Sequence, residues 1–309
     1  MNQNKKKIDW SERCWKDMLI DQRKFIWHKD TVDKLARWLG LVPGMTAVDV
    51  GCGLGNLGYI YWPYFGKNGR YFGVDESMEL IQQAEKSAKD WATGGEARFI
   101  TGDAYKLPFP DDFADWVMCQ TLLIHLKDPE RALAEMIRVA KPGGLILCNE
   151  PDNLSTMLAK HYWSLPELEV EEELLLRKIY LICNKGAINL GRGDNSIANK
   201  VPVMMKKFGL TDIEARLNDK AQFLYPPYEG SRQQNILQMI KKRVLDQSDF
   251  WMERVKEEFL AGGGDLEEYR RFREISDRLK LIFKNQFEAG EYIVFTSGFF
   301  YAIKGRKPE

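Results

Sequence analysis

Short apolar runs and helically spaced stretches alternate through the first half of the chain. Residues 46–50, 70–75, 97–101, 114–120 and 145–150 are brief runs rich in Val, Ile, Leu, Phe and Tyr, the signature of buried strands. Between them, residues 56 to about 64, 78–91 and 129–140 repeat apolar positions at helical spacing, and Pro142-Gly143-Gly144 stops the last of these. Strands that alternate with helices pair in parallel through right-handed crossovers. The pattern predicts an α/β fold with an open, doubly wound sheet. Ligands of such sheets sit beyond the carboxyl ends of the strands, at the switch point.

The flanks have a different rhythm. Residues 9–40 read as one or two helices carrying Trp10, Trp15, Phe25, Trp27 and Trp38, with Asp30 as a cap and Gly40 as a stop. Beyond 152 the pattern predicts helix over 155–185, with an acidic run at 167–173 on a solvated face. A loop at 191–196, a helix at 201–208 and a sixth strand within 210–224 follow, before Pro226-Pro227. Residues 231–288 read as helix apart from Gly262-Gly263-Gly264, and 291–304 as a closing β run. The expected organisation is an N-terminal helical lid (1–40) and a ligand-binding core (41–153). Helical insertions with the sixth strand form an acceptor lid (154–290), and the last strand of the core sheet follows (291–309).

Composition narrows the function classes. Hydrophobic residues make up 44% of 309, enough for a sizeable core, and 45 basic against 45 acidic side chains leave no net field. Such a balance does not favour nucleic acid or an anionic membrane as partner. Five scattered cysteines, with no C-x-x-C pair, argue against zinc and against a disulfide framework. The basic start is followed by no apolar run, and no apolar stretch reaches the ~18 residues of a membrane span. A cytoplasmic protein is expected, without metal or membrane span; its oligomeric state is left open.

The chemistry concentrates in Asp49-Val50-Gly51-Cys52-Gly53-Leu54-Gly55, between the first strand and a helix. The glycines let the backbone turn sharply and approach a ligand. Dinucleotide sites prefer G-x-G-x-x-G, whose amides receive a pyrophosphate. Here the spacing is G-x-G-x-G beside a carboxylate, which repels phosphate and suits a cation such as the α-ammonium of S-adenosylmethionine. Asp75 ends the second strand, where an acid can accept both ribose hydroxyls; the competing role is a helix cap, for which Ser77 also competes. Asp103, in Thr-Gly-Asp-Ala104, can accept an adenine amine or simply make a turn.

The ordered run from Thr46 to Asp152 resembles the class I S-adenosylmethionine-dependent methyltransferases of the ubiquinone/menaquinone-biosynthesis type. Val-Asp-Val-Gly-Cys-Gly-Leu-Gly55, Gly-Val-Asp75, the stretch from Gly102 through Leu-Pro-Phe-Pro to Asp115, Leu-Ile-His-Leu-Lys-Asp-Pro-Glu130 and Arg-Val-Ala-Lys-Pro-Gly-Gly144 carry the resemblance. It implies a Rossmann-like, seven-stranded, mostly parallel sheet whose last strand is antiparallel. It also implies a cofactor site in which Asp49, Gly51, Cys52 and Gly53 line the methionine part, and Asp75 and Glu76 hold the ribose and adenine edge. Gly102, Asp103 and Ala104 hold adenine. Gln120 faces the methionine part or the methyl, where the family more readily has a small or aromatic residue. The variable flanks choose the acceptor.

Methyl transfer is an in-line displacement from an already activated sulfonium, so orientation is much of the task. His125 is the candidate general base; its alternative is a structural role in an apolar turn. Glu150 and Asp152 can touch an acceptor or cap a helix. Trp10, Trp15, Trp27, Tyr180, Tyr225 and Tyr228 are candidates for an aromatic acceptor pocket or for core packing, and a closed cavity is expected beside Gln120 and His125. Cys52, Cys119 and Cys148 are expected to be buried, unlike the reactive cysteines of arsenite-methylating relatives. The expected activity is methyl transfer to a small-molecule acceptor. The rival readings are a non-catalytic cofactor- or partner-binding module and a macromolecule methyltransferase.

Overall fold

The computed structural model of the chain describes residues 28–219, 221–245 and 249–309. The aromatic candidates Trp10, Trp15, Phe25 and Trp27 lie outside the described residues. The first described helix, α1 (Lys29–Leu39), ends where Gly40 adopts φ 71° and donates its N–H back to the carbonyls of Ala36 and Arg37. Its N-cap is His28, which makes no side-chain cap; Asp30 falls in the first turn, where a carboxylate favours the helix dipole.

The core then follows the expected alternation. β1 (Thr46–Val50), α2 (Asn56–Phe65), β2 (Arg70–Asp75), α3 (Met78–Trp91), β3 (Glu96–Thr101), β4 (Ala114–Gln120), α4 (Pro129–Val139) and β5 (Ala140–Asp152) come in order. β5 starts directly after α4 and takes in Pro142-Gly143-Gly144, which does not delay it; the register with β4 shifts there instead. The sheet order is β3-β2-β1-β4-β5-β10-β7, seven strands. β10 (Phe299–Arg306) runs antiparallel between β5 and β7 (Thr211–Leu217), as the resemblance implied.

Both faces of this sheet are covered. Val48, Val50, Val117, Cys119, Ile146 and Cys148 point to one cluster with Leu133 and Met136 of α4. Ala47, Trp116, Met118, Leu145, Leu147 and Ala302 point to the other, with Leu35 and Leu39 of α1 and Tyr61 and Phe65 of α2. By strand alternation, Asp49, Gln120 and Asn149 belong to this second face, one step nearer the carboxyl edge.

The second half departs from its expected outline. Helix over 155–185 divides into α5 (Asn153–Leu158), a two-residue strand β6 (Tyr162–Trp163) and α6 (Val170–Asn189). The acids Glu171, Glu172 and Glu173 occupy the first turn of α6, where they suit its dipole and pair outward. α7 (Val201–Lys207) follows. The sixth strand is β7; β8 (Ala221–Leu224) belongs to a separate three-stranded sheet, β6-β9-β8. The closing β run likewise splits at Gly298: β9 (Val294–Ser297) joins the small sheet and β10 the core. Helices α8 (Gly230–Leu245), α9 (Asp249–Ala261) and α10 (Leu266–Ala289) fill the interval. Among the described residues, no helix is long and apolar enough to cross a membrane.

Candidate functional site

The glycine loop is built by left-handed backbone. Gly51, Gly53 and Gly55 have φ of 69°, 53° and 74°, a region costly for residues with a Cβ. The N–H groups of Gly51 and Cys52 donate to the Val74 carbonyl at 2.7 and 3.0 Å, folding the loop over the end of β2. A Cβ on Gly51 would meet Leu122 Cδ1 at 2.8 Å, so the loop also touches the turn after β4.

Two carboxylates frame it. Asp49 is buried beneath the loop, and the Tyr71 hydroxyl donates to its Oδ2 at 2.6 Å. Asp75 accepts the Gly53 N–H on Oδ2 and the Ser77 N–H on Oδ1, both at 2.9 Å, so it fastens the loop to the end of β2. The helix-cap role falls to Ser77, whose Oγ accepts the Leu80 N–H at 3.3 Å. Glu76 lies beside it, exposed.

The end of β3 closes the row. The Gly102 N–H donates to the Asp75 carbonyl at 2.9 Å, and exposed Asp103 accepts the Tyr105 N–H at 2.8 Å in a tight turn that contains Ala104. The structure therefore brings Asp49, Gly51, Cys52, Gly53, Asp75, Glu76, Gly102, Asp103 and Ala104 to the carboxyl ends of the adjacent strands β1, β2 and β3. Gln120 ends the neighbouring β4 and is buried.

Beyond Gln120 the chain makes a strained turn. Thr121 has φ 53°, an unfavourable region for a β-branched residue. The structure holds it there. The Thr121 N–H donates to the Asn149 carbonyl at 2.8 Å. Glu150 accepts the N–H groups of Leu122 and Leu123 at 2.9 Å and of Ile124 at 3.3 Å, capping the 3-10 turn Leu123–His125. Complete burial pushes the Glu150 carboxyl up to about 7, opposed by those three N–H groups. Asp152 caps α5 through the Ser155 N–H at 2.9 Å and accepts the Asn199 amide at 2.6 Å. Both strand-end acids thus take the capping role.

His125 sits on that turn, facing the helical half. Desolvation and, secondarily, the Arg254 guanidinium lower its pKa to about 4. The loop after α6 packs onto the same turn: the Asp194 N–H donates to the Ile124 carbonyl at 3.0 Å, and a Cβ on Gly193 would lie 1.9 Å from that oxygen. Arg254 pairs with buried Glu258 at 2.8 Å. A cavity of about 230 Å³ is lined by Lys160, Glu167, Leu168, Val170, Glu173, Leu174 and Arg177; Gln120 and His125 are not in its wall. Of the tyrosine candidates, Tyr228 is buried, donating to the Tyr292 carbonyl, while Tyr225 is exposed against Phe223. Cys52, Cys119 and Cys148 are buried.

Three residues at the site escaped the reading of the sequence: Tyr71, Thr121 and Asn149. Tyr71 looks like an ordinary strand aromatic. Asn149 alone carried a signal, being a polar residue on the buried side of an otherwise apolar strand.

Comparison with known proteins bears on the core that carries these residues. Residues 48–148 match the family described as a methyltransferase domain. An uncharacterized methyltransferase of Schizosaccharomyces pombe is 37% identical over 158 residues, 50% of this chain and 51% of its own. The demethylmenaquinone methyltransferase of Bacillus licheniformis is 34% identical over 134 residues, 43% of this chain and 56% of its own. The chain thus spans about half the length of the curated relatives it matches. A solved Bacillus halodurans structure described as a methyltransferase superposes with a TM-score of 0.52 at 15% identity, over 90% of this chain and 99% of that one, which shows the shared fold. Residues 48–148 are therefore a class I S-adenosylmethionine-dependent methyltransferase domain, resembling those of the ubiquinone/menaquinone-biosynthesis enzymes.

Proposed function

We propose that the chain transfers a methyl group in line from S-adenosylmethionine to a small-molecule acceptor. One observation carries the reading: a left-handed glycine loop at the end of β1, with a buried carboxylate beneath it and a second carboxylate clamping it from β2. That cradle fits the cofactor's chemistry. It offers backbone approach, an acid for an ammonium group and strand-end acceptors for ribose hydroxyls.

In this reading Asp49, Gly51, Cys52 and Gly53 hold the methionine part, and Asp75 and Glu76 the ribose. Gly102, Asp103 and Ala104 hold adenine, and Gln120 faces the methyl. When bound, the cofactor supplies a methyl group on a good leaving group. The chain's own work is alignment and exclusion of water. His125, neutral throughout the physiological range, serves as proton acceptor only for an acceptor whose proton is already acidic, because its low pKa makes uptake from a weak acid uphill. The helical half, joined to the turn after β4 through Asp194 and Gly193, acts as the lid on the acceptor side. The names of the quinone-biosynthesis relatives and the balanced charge support a small acceptor.

Calorimetry with S-adenosylmethionine and S-adenosylhomocysteine tests the cofactor half; micromolar binding of both without added metal is expected, and no heat at millimolar ligand overturns it. Mass detection of methyl transfer to a reduced, demethylated naphthoquinone tests the acceptor half. Labelling of protein or nucleic acid in place of small molecules would redirect the proposal to a macromolecular substrate.

A further inference from the structure

Asn149 is buried to 1% exposure in β5, yet neither its side-chain nitrogen nor its oxygen has a hydrogen-bond partner among the described residues. Leaving both ends of a carboxamide unmade in the interior carries an uncompensated desolvation penalty. On the face that Asn149 shares, the preceding position of β5 is buried Leu147, so packing there gives no reason to hold an amide. Leucine or methionine would fill the place without that cost.

Its location gives the amide a use. Asn149 is in register with Gln120 on β4 and with Ala302 on β10, and by strand alternation all three share the face that carries Asp49. Gln120 stands between it and the glycine loop. Asn149 lies one strand further from that loop, on the side away from the ribose clamp of Asp75. Ala302 offers only a methyl group. The Asn149 carbonyl meanwhile holds strained Thr121, so the amide is anchored to the turn that carries the site's most constrained backbone.

We propose that Asn149 is a specificity-determining residue that hydrogen-bonds a neutral hydroxyl or carbonyl group of the methyl acceptor, beside the atom that receives the methyl. A carboxamide carries one donor end and one acceptor end and no charge, which matches an enol, phenol or quinol hydroxyl and not a carboxylate or phosphate. The inference rests on the proposed methyl-transfer function, and deepens it by naming the acceptor's polar group.

The test uses the full chain, 15N-labelled, with the Asn149 side-chain amide signal assigned by its loss in Asn149→Leu. The probes are S-adenosylhomocysteine and 1,4-naphthalenediol. We expect the signal to move when the diol is added to the homocysteine complex, and to move little with S-adenosylhomocysteine alone. We also expect Asn149→Leu to raise the melting temperature by about 2–4 °C, to leave S-adenosylhomocysteine affinity within threefold, and to weaken diol binding at least tenfold. Stabilisation with loss of ligand is the opposite of what a structural hydrogen bond gives. A lowered melting temperature, equal weakening of both ligands, or a signal that neither ligand moves while S-adenosylhomocysteine binds would each overturn the inference. If S-adenosylhomocysteine itself fails to bind the wild type, the parent reading falls, and a diol-induced shift still reports on Asn149 separately.

Discussion

Residues 46–152 and residues 153–293 bury their apolar side chains in different ways. In the first segment every helix lies against the strands next to it in sequence, and two continuous clusters cover the two faces of one sheet. The second segment lends Ile197, Ala198, Val201, Met204, Met205 and Leu210 to one of these clusters and, with the start of β9, also builds two small cores of its own. One gathers Leu224, Tyr228, Ile236, Phe283, Tyr292 and Val294 around the small sheet. The other gathers Leu175, Ile179, Phe259, Tyr269, Phe272 and Ile275 between α6, α9 and α10. Its ties run far along the chain, as in the Ser164 hydroxyl, which donates to Gln286 at 2.7 Å and accepts the Ile293 N–H at 2.8 Å. The proposed cofactor cradle rests on the first kind of packing, and the proposed acceptor-side lid on the second. A chain so divided can change its acceptor-side helices while leaving the cradle alone.

The largest expected effect strikes the cradle. Asp75→Ala removes a carboxylate that clamps Gly53 and is assigned the ribose hydroxyls. The loss is expected to be about 2–4 kcal/mol in S-adenosylhomocysteine affinity, the scale of charge-assisted hydrogen bonds. The helical half should be unaffected. Calorimetry on the folded variant reads it, and unchanged affinity would remove Asp75 from the site. The converse variant strikes only the second segment. A Cβ on Gly186 of α6 would lie 1.6 Å from the Glu258 carbonyl oxygen of α9, and one on Gly262 2.1 Å from that of Ile182, so the two helices cross backbone to backbone. Gly186→Leu should cost about 3 kcal/mol, at the upper end of overpacking penalties. Hydrogen exchange should show α6 and α9 losing protection while β1 to β5 keep theirs; equal loss in both halves would show that they fold as one unit.

The same division governs what could be read in advance. The strands 46–50, 70–75 and 114–120 were legible to the residue, because a five-residue apolar run beside glycines has few alternatives. So were the glycine loop and the strand-end acids, whose meaning is local. The two strands within 210–224 and the break at Gly298 were not. Nothing in Ala221–Leu224 or Val294–Ser297 says which sheet it will join; that is decided by partners 70 or more residues away. The capping roles of Glu150 and Asp152 were available as alternatives; Asp152 caps the helix that directly follows it, but choosing the role for Glu150 required knowing that the turn after β4 passes over β5. The low pKa of His125 comes first from burial and second from Arg254, which sits in another part of the chain.

Glu150 and His125 give a comparison that pH can sharpen. Glu150 has a folded pKa of about 7 against an ordinary 4.5, so its contribution is present below 4.5 and is lost as pH rises through 7. His125 has a folded pKa of about 4 against 6.5, so its contribution is present above 6.5 and is lost as pH falls through 4. Between 4.5 and 6.5 the two slopes oppose and should largely cancel. Glu150→Gln unmasks the histidine, and its stability relative to wild type should climb across that window by at most about 3 kcal/mol, one pKa unit being 1.36 kcal/mol. His125→Asn should shift the difference the other way. Urea titrations at half-unit pH steps measure both, and parallel curves for all three proteins would show that neither group is buried as described.

The smallest expected effect tests how α1 is held to the core. Trp38 of α1 lies between two cations, with the Arg216 guanidinium 4.8 Å and the Lys304 ammonium 4.6 Å from its ring. Its indole N–H donates to Glu214 at 2.9 Å, and Lys304 pairs with the same carboxylate at 2.9 Å and donates to the Trp38 carbonyl at 3.1 Å. At the other end of α1, the Thr31 hydroxyl donates to Asp219, just past β7. The helix is thus fixed to β7 and β10, the strands that the core shares with the second segment. Glu214 is half exposed, so the ion pair itself contributes little; cation–π contact at such a site is worth about 0.5–1 kcal/mol. Lys304→Met keeps the apolar stem and removes the ring contact, the ion pair and the hydrogen bond to the Trp38 carbonyl. It should cost about 1 kcal/mol at low salt, less at 1 M sodium chloride where screening shortens the reach of exposed charges to ~3 Å. Trp38→Leu should cost more, since it also removes packing, and its excess over Lys304→Met should show no salt dependence. Equal losses for Lys304→Met at both salt concentrations would mean that the lysine acts through its stem, and that α1 is held by Leu35 and Leu39 beneath it rather than by the charges above.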